Sequence, residues 1–202
     1  MVIAAALHSR GAYATHTPSN TLNLNAGDSI QDAINYAASQ GAYQRQTMGS
    51  TEHGGNPWVI VLYPGEYRES GIMMASGVNI TALMERTALI ASTSSSPIIT
   101  CEANSTISGV VISQDNPDYP ALLIRDNGSQ CSVHRSIVEG VNVAVRQEGG
   151  FFRAFDTDFR NGYLDLAPTV NYPLSNPVGM NLIRSRAWQK PIRIMPTGLD
   201  SG

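Results

Sequence analysis

Residues Pro57 to Leu83 read PWVIVLYPGEYRESGIMMASGVNITAL, and this stretch decides the fold. Three short apolar runs follow one another: Trp58 to Leu62, Ile72 to Met74, and Val78 to Ile80. Pro64-Gly65 and Ser76-Gly77 punctuate them. Each run is too short for a helix and too β-prone for a loop. The spacing therefore predicts short strands joined at tight corners.

The same signature recurs downstream. One family of apolar runs starts at Ile98, Leu122, Val141, Tyr163 and Ile192. A second starts at Val78, Thr106, Ser132, Phe151 and Gly179. A third, weaker set includes Val110-Val111-Ile112 and Ser136-Ile137-Val138. A repeat of roughly 20 to 28 residues carrying three strands fits all three series. That is one coil of a solenoid, climbing ~4.8 Å at each turn, and about six coils are expected. Asp126-Asn127-Gly128 and Arg160-Asn161-Gly162 supply residues that tolerate left-handed backbone at the corners.

Working outward, residues 1–20 show no period and are read as an N-terminal arm before a single domain spanning 21–202. Thr21-Leu22-Asn23-Leu24-Asn25 alternates as a half-buried strand does. A helix is expected over 28–40, with Asp28 as N-cap, Gln31 completing a capping box, and Ile30, Ala33, Ile34 and Ala37 on one apolar face. It would cover the open end of the first coil. Residues 42–56 form a polar exposed loop holding Glu52 and His53, and the coils occupy 57–197. Two Pro-bounded excursions, Ser113 to Pro120 and Pro168 to Pro177, are of the kind that carries binding on a solenoid. After Ile194 no amphipathic helix follows, which points to an uncovered edge and hence to a homo-oligomer or to docking on a larger body.

Composition removes some functions. The 202 residues carry a net charge of −3 and only 14% charged side chains, with no basic block, which argues against nucleic acid as a partner. No apolar run reaches the ~18 residues of a membrane span. Lys190 is the single lysine against twelve arginines, a bias that suits fixed or interfacial contacts. Cys101 and Cys131 lie in strand-like stretches and read as two buried free thiols.

Val61-Leu62-Tyr63-Pro64-Gly65-Glu66-Tyr67-Arg68-Glu69, followed by Gly77-Val78-Asn79-Ile80, resembles the opening coil of the pectin-lyase-like superfamily. The resemblance implies an all-β right-handed parallel β-helix with an N-terminal capping helix. Among its enzymes, pectinesterases carry a Gly-x-x-Asp-Phe-Ile-Phe-Gly strand with a nucleophilic Asp, then a Leu-Gly-Arg-Pro-Trp supplying an Arg. Asp158-Phe159 is similar to the first but lacks the Ile-Phe-Gly, and Arg186-Ala187-Trp188 is similar to the second. Asp156-Thr157-Asp158 resembles one of four polygalacturonase motifs, and the other three are missing. Arg153, Asp156, Asp158 and Arg160 can be drawn as the acidic cluster and arginine of a pectate lyase.

Periodicity gives this cluster a geometry. In one extended strand, Asp156, Asp158 and Arg160 share a face, opposite Phe155, Thr157 and Phe159. If an enzyme, the catalytic residues expected are Asp156, Asp158 and Arg160. His134, Arg135 and Glu139 fall one coil earlier and would stack beneath them. Surface ion pairs worth under ~1 kcal/mol each are the plainer reading of these charges. Tyr119, Tyr172 and Trp188, with Tyr163, are candidates for glycan or partner contacts. Phe151, Phe152 and Phe155 read as core fillers. No metal and no cofactor are expected.

The short ladder, its uncovered end and the incomplete enzyme motifs favour a non-catalytic virion protein. This would be a trimeric capsid decoration or spike component on the virion surface, docked on a protein such as the major capsid protein. The alternatives are a secreted polysaccharide-active enzyme, a lyase, hydrolase or esterase, and a glycan-binding module.

Overall fold

The computed structural model describes residues 20–42, 57–101, 104–125, 130–166, 179–188 and 192–194. In chain order the elements are β1 (Thr21–Leu24), α1 (Ile30–Ser39), β2 (Trp58–Leu62), β3 (Gly65–Arg68), β4 (Ile72–Met74), β5 (Val78–Ala82) and β6 (Ala88–Ser92). Then come β7 (Ile99–Cys101), β8 (Ser105–Ser108), β9 (Val110–Gln114), β10 (Leu122–Ile124), β11 (Gln130–His134), β12 (Ile137–Gly140) and β13 (Val143–Gln147). The last are β14 (Phe151–Phe155), β15 (Asp158–Arg160), β16 (Tyr163–Leu166), β17 (Gly179–Ile183), β18 (Arg186–Trp188) and β19 (Ile192–Ile194).

Every third strand joins the same parallel sheet. The first sheet runs β1-β2-β5-β8-β11-β14-β17, the second β3-β6-β9-β12-β15-β18, and the third β4-β7-β10-β13-β16-β19. The three strand families of the sequence are these three sheets. β3 and β6 were not singled out, because Pro64-Gly65 reads as a turn and Ala88–Ser92 is short and mildly apolar. The expected residues fill the middle of the prism. Tyr67, Ile90, Ile112, Val138 and Phe159 stand in register across the second sheet, each at most 1% exposed. Burying such a column is the main stabilising term of a solenoid.

Tyr67 anchors the opening phrase. Its hydroxyl donates to Leu24 O at 2.8 Å and lies 3.0 Å from Tyr63 O, fastening β1 to β3. Burial, then the nearby Asp28 carboxylate, push its pKa up to about 12 against the opposing pull of the Tyr63 carbonyl.

The helix cap lies one residue later than expected. Ser29, not Asp28, is the N-cap, with its hydroxyl accepting from Asp32 N, and the helix is Ile30–Ser39 rather than 28–40. Asp28 instead accepts from Asn25 N at 2.8 Å within the preceding turn. Gln31 does not complete a capping box; its side-chain oxygen accepts from Met73 N. Glu69, distant in sequence, takes that place. Its carboxylate accepts from Ser29 Oγ (3.0 Å), Ile30 N (2.7 Å) and Gln31 N (3.0 Å), where orphan amides and the helix dipole favour a negative charge. Ile30, Ala33, Ile34 and Ala37 are buried as expected, and α1 packs against β2, β4 and β5.

Cys101 and Cys131 are not free thiols. They form a disulfide, Cα–Cα 6.0 Å, between β7 of the third sheet and β11 of the first. Their side chains are fully buried in the core.

The corner between the first and second sheets is built the same way turn after turn. Gly109, Arg135, Asp156 and Arg184 hold left-handed φ of 68°, 48°, 49° and 51°. Gly109 N donates to His134 O, Arg135 N to Phe155 O and Asp156 N to Ile183 O, at 2.8–3.0 Å. A hydroxyl follows three of these residues. Ser136 Oγ donates to His134 O and accepts from Val110 N; Ser185 Oγ donates to Ile183 O and accepts from Thr157 N. Thr157 Oγ1 donates to Phe155 O at 3.0 Å. After β5 the corner is longer, with Leu83 and Met84 exposed and Arg86 left-handed. The corner leading to the third sheet is tighter still. A Cβ on Gly140 would lie 2.2 Å from Val143 O, and one on Gly162 would lie 2.3 Å from Ala144 N, so only glycine fits.

Candidate functional site

Asp156, Asp158 and Arg160 do not share one strand. Asp156 occupies the left-handed corner, and β15 begins only at Asp158, so the expected alternation breaks at Asp156. Phe159 faces the core. Phe155 and Phe151 are half-buried on the outer face with Arg153, and of the three phenylalanines of β14 only Phe152 is buried inward, beside Ala154.

The aspartates of this corner are paired. Asp156 holds Arg184 at 2.9 Å. Asp158 lies between Arg86 Nη1 at 3.3 Å and Arg160 Nη2 at 3.7 Å, and Arg160 reaches Glu139 at 3.5 Å. Arg86 also donates to Arg135 O and Asp156 O, spanning several turns. Glu139 stands directly beneath Arg160 in the sheet, and Arg186 pairs in register with Asp158. This is the geometry of an ion-pair ladder along an edge.

The residues one turn earlier sit where the spacing put them. His134 stacks beneath Phe155, centroids 4.7 Å apart and planes 20° off parallel. Its pKa is lowered by burial first and by the neighbouring Arg135 second, against the pull of Asp156. Arg153 lies 4.9 Å over the Phe151 ring. Tyr119 is half-buried in the turn after β9, its amide donating to Asn116 O. Trp188 pairs with Arg160 in the backbone register. Tyr172, Glu52, His53, the arm 1–19, most of the 42–56 loop and the 168–177 excursion lie outside the described residues.

A different carboxylate stands out. Asp165 is 1% exposed, the one buried Asp or Glu among the described residues. Its neighbour Leu164 belongs to the core, so by alternation Asp165 belongs to the outer face of the third sheet. It stands in register between Arg146 and Arg193. Arg146 Nη2 is 4.0 Å from its carboxylate while remaining 32% exposed. The column below it continues with Leu123, Thr100 and Met73. A carboxylate taken out of water on the outside of a sheet, with an arginine reaching solvent beside it, costs stability unless paired, and such pairs concentrate at reactive sites. Sequence reading passed over Asp165 as a strand position. The available signal was a lone charge between two leucines, with an arginine at the matching point of the coils on either side.

No family model matches the sequence, and no curated protein matches it. Among solved structures, a pectin methylesterase mutant in complex with a hexasaccharide matches at 14% identity and TM-score 0.49, covering 79% of this chain and 64% of its own. The pectin methylesterase PemA from Erwinia chrysanthemi matches at 16% identity and TM-score 0.47, covering 88% and 66%. The chain thus spans less than two thirds of the first of these proteins. With three parallel sheets fed in rotation, the chain is an all-β parallel solenoid.

Proposed function

We propose that the protein hydrolyses carboxylic esters on an acidic polysaccharide, with Asp165 as the reacting carboxylate and Arg146 as its charge partner. The shielded Asp165, in register between two arginines on an outer sheet face, carries this reading. Glycoside hydrolysis uses two carboxylates flanking one bond. The described side chains of this column offer one carboxylate and the Arg146 guanidinium, a set that suits acyl transfer.

In that reaction an oxygen of Asp165 attacks the ester carbonyl carbon, and the negative charge passing to the carbonyl oxygen falls within reach of the Arg146 guanidinium. Collapse expels the alcohol, which takes a proton from water and leaves an acyl anhydride on Asp165. A second water cleaves the anhydride and restores the carboxylate. The substrate class is suggested by the opening phrase, Val61 to Glu69.

The test is methanol release from a methyl-esterified polyuronate. Asp165→Asn is expected to lower turnover by about a thousandfold or more with the circular dichroism spectrum unchanged, in line with loss of a nucleophile. Arg146→Gln is expected to cost about a hundredfold. Wild-type turnover in Asp165→Asn overturns the assignment.

The virion reading rests on the short ladder, its uncovered end and the incomplete enzyme motifs, and the arm 1–19 and the segment after Ile194 lie outside the described residues. Nothing in the described residues favours it over an enzyme. A trimer docked on a capsid protein stands as a separate proposal, and light scattering showing a monomer would count against it.

A further inference from the structure

The first sheet changes character along the solenoid. Its outward positions in β5 and β8 are Asn79, Thr81, Thr106 and Ser108, all small and polar. In β11 they are Gln130, Ser132 and His134, and in β14 Phe151, Arg153 and Phe155. The step lies between Ser108 and His134, which are in direct register. One face of the His134 ring rests on Phe155. On the opposite side, the outward residue in register with His134 is Ser108, which carries no ring. Arg135 closes the corner end of this ledge, its Nη2 donating to Ser108 Oγ at 3.3 Å. Arg135 also holds a left-handed φ of 48°, a conformation that Asn, Asp or Gly adopts at lower cost. An arginine kept at a strained corner asks for a use. Nearby, Arg153 Nε is buried with no hydrogen-bond partner.

We propose that this ledge is a second, non-reacting binding site for the same class of polymer, taking one uronate residue of an acidic glycan. The proposal takes its ligand class from the esterase reading and places the site on another sheet. The apolar face of the sugar lies against the free face of His134, as aromatic rings receive sugars. Its carboxylate takes the Arg135 guanidinium in bidentate form. Its hydroxyls meet Ser108 and Thr106 on the floor. The charge at the corner is complementary. Arg184 and Arg86 are matched by Asp156 and Asp158, while among the described residues the Arg135 guanidinium is bonded to the neutral Ser108. An acidic polymer held here would stay attached between turnovers at the third sheet.

Binding of a de-esterified polyuronate oligomer, followed by calorimetry on the Asp165→Asn protein, tests the ledge apart from the chemistry. Arg135→Asn removes the cation and suits the left-handed backbone. Ser108→Phe extends the ring stack and fills the ledge without removing a charge. Each is expected to weaken binding about tenfold or more, with the melting transition retained. Unchanged affinity in both overturns the ledge. Equal affinity for polyphosphate or single-stranded DNA also overturns it, since that reports charge alone. If the wild-type protein binds through the ledge but releases no methanol, the reactive-centre reading falls and the ledge stands. If Asp165→Asn abolishes turnover while both ledge variants bind normally, the reverse holds.

Discussion

Two single side chains give the fold a measurable pH signature. Tyr67 is buried with its hydroxyl bonded to the Leu24 carbonyl, and its pKa is raised to about 12. A folded-state pKa above the unfolded value contributes stability that is complete below pH ~10 and is lost as pH climbs through 12. Chemical denaturation between pH 9 and 12 should show this loss, and Tyr67→Phe should flatten it while costing about 1 kcal/mol at neutral pH for the missing hydrogen bond. His134 works at the other end. Its pKa is lowered, chiefly by burial, so the contribution is present above ~6.5 and is lost as pH falls below that value. His134→Phe, which keeps a ring on Phe155, should remove the acid-side slope over pH 7 to 5. The sequence exposed Tyr67 through its Pro-Gly-x-Tyr phrase. It gave no sign that Phe155 faces outward, because an alternation read across Asp156 ignores the corner that resets it.

At the scale of the element, α1 shows what local reading can and cannot reach. Its apolar face was legible from Ile30, Ala33, Ile34 and Ala37 because burial follows the helical period. Its cap was not. Asp28 and Ser29 are adjacent and both qualify as N-caps, and the group that decides the matter, Glu69, arrives from the far side of β3. Glu69→Gln keeps the shape but removes the charge from the helix N-terminus, and should cost about 1 kcal/mol in urea denaturation. Glu69→Leu, which strands the Ile30 and Gln31 amides, should cost about 2–3 kcal/mol by the same measurement. The strand families were legible for the reason the helix face was: a repeat imposes its period on the sequence. The buried carboxylate was not, since Asp165 gains meaning only from Arg146 and Arg193, which stand in register with it on the neighbouring coils.

For the whole molecule, the disulfide and the corner ladder set how the turns hold together. Cys101 and Cys131, 30 residues apart, close a loop across two sheets. Loop closure of that size stabilises by about 3–4 kcal/mol. Thermal melts with and without reductant should differ accordingly, and the Cys101→Ala/Cys131→Ala double variant should match the reduced protein. Thiol titration of the unfolded, unreduced chain should find no free thiol. The sequence pointed the other way because two cysteines in strands carry no information about pairing until the turn length fixes which levels they occupy. In a stack of turns each layer touches only the layers next to it, so such proteins fray from their ends one layer at a time. Arg86 breaks that rule: from the corner after β5 it passes the Gly109 level and bonds to Arg135 O, Asp156 O and the Asp158 carboxylate. It couples layers that share no backbone hydrogen bond. Amide exchange should therefore show the layers from β5 to β15 opening as one cooperative block, and Arg86→Ala should split that block into layers of graded protection.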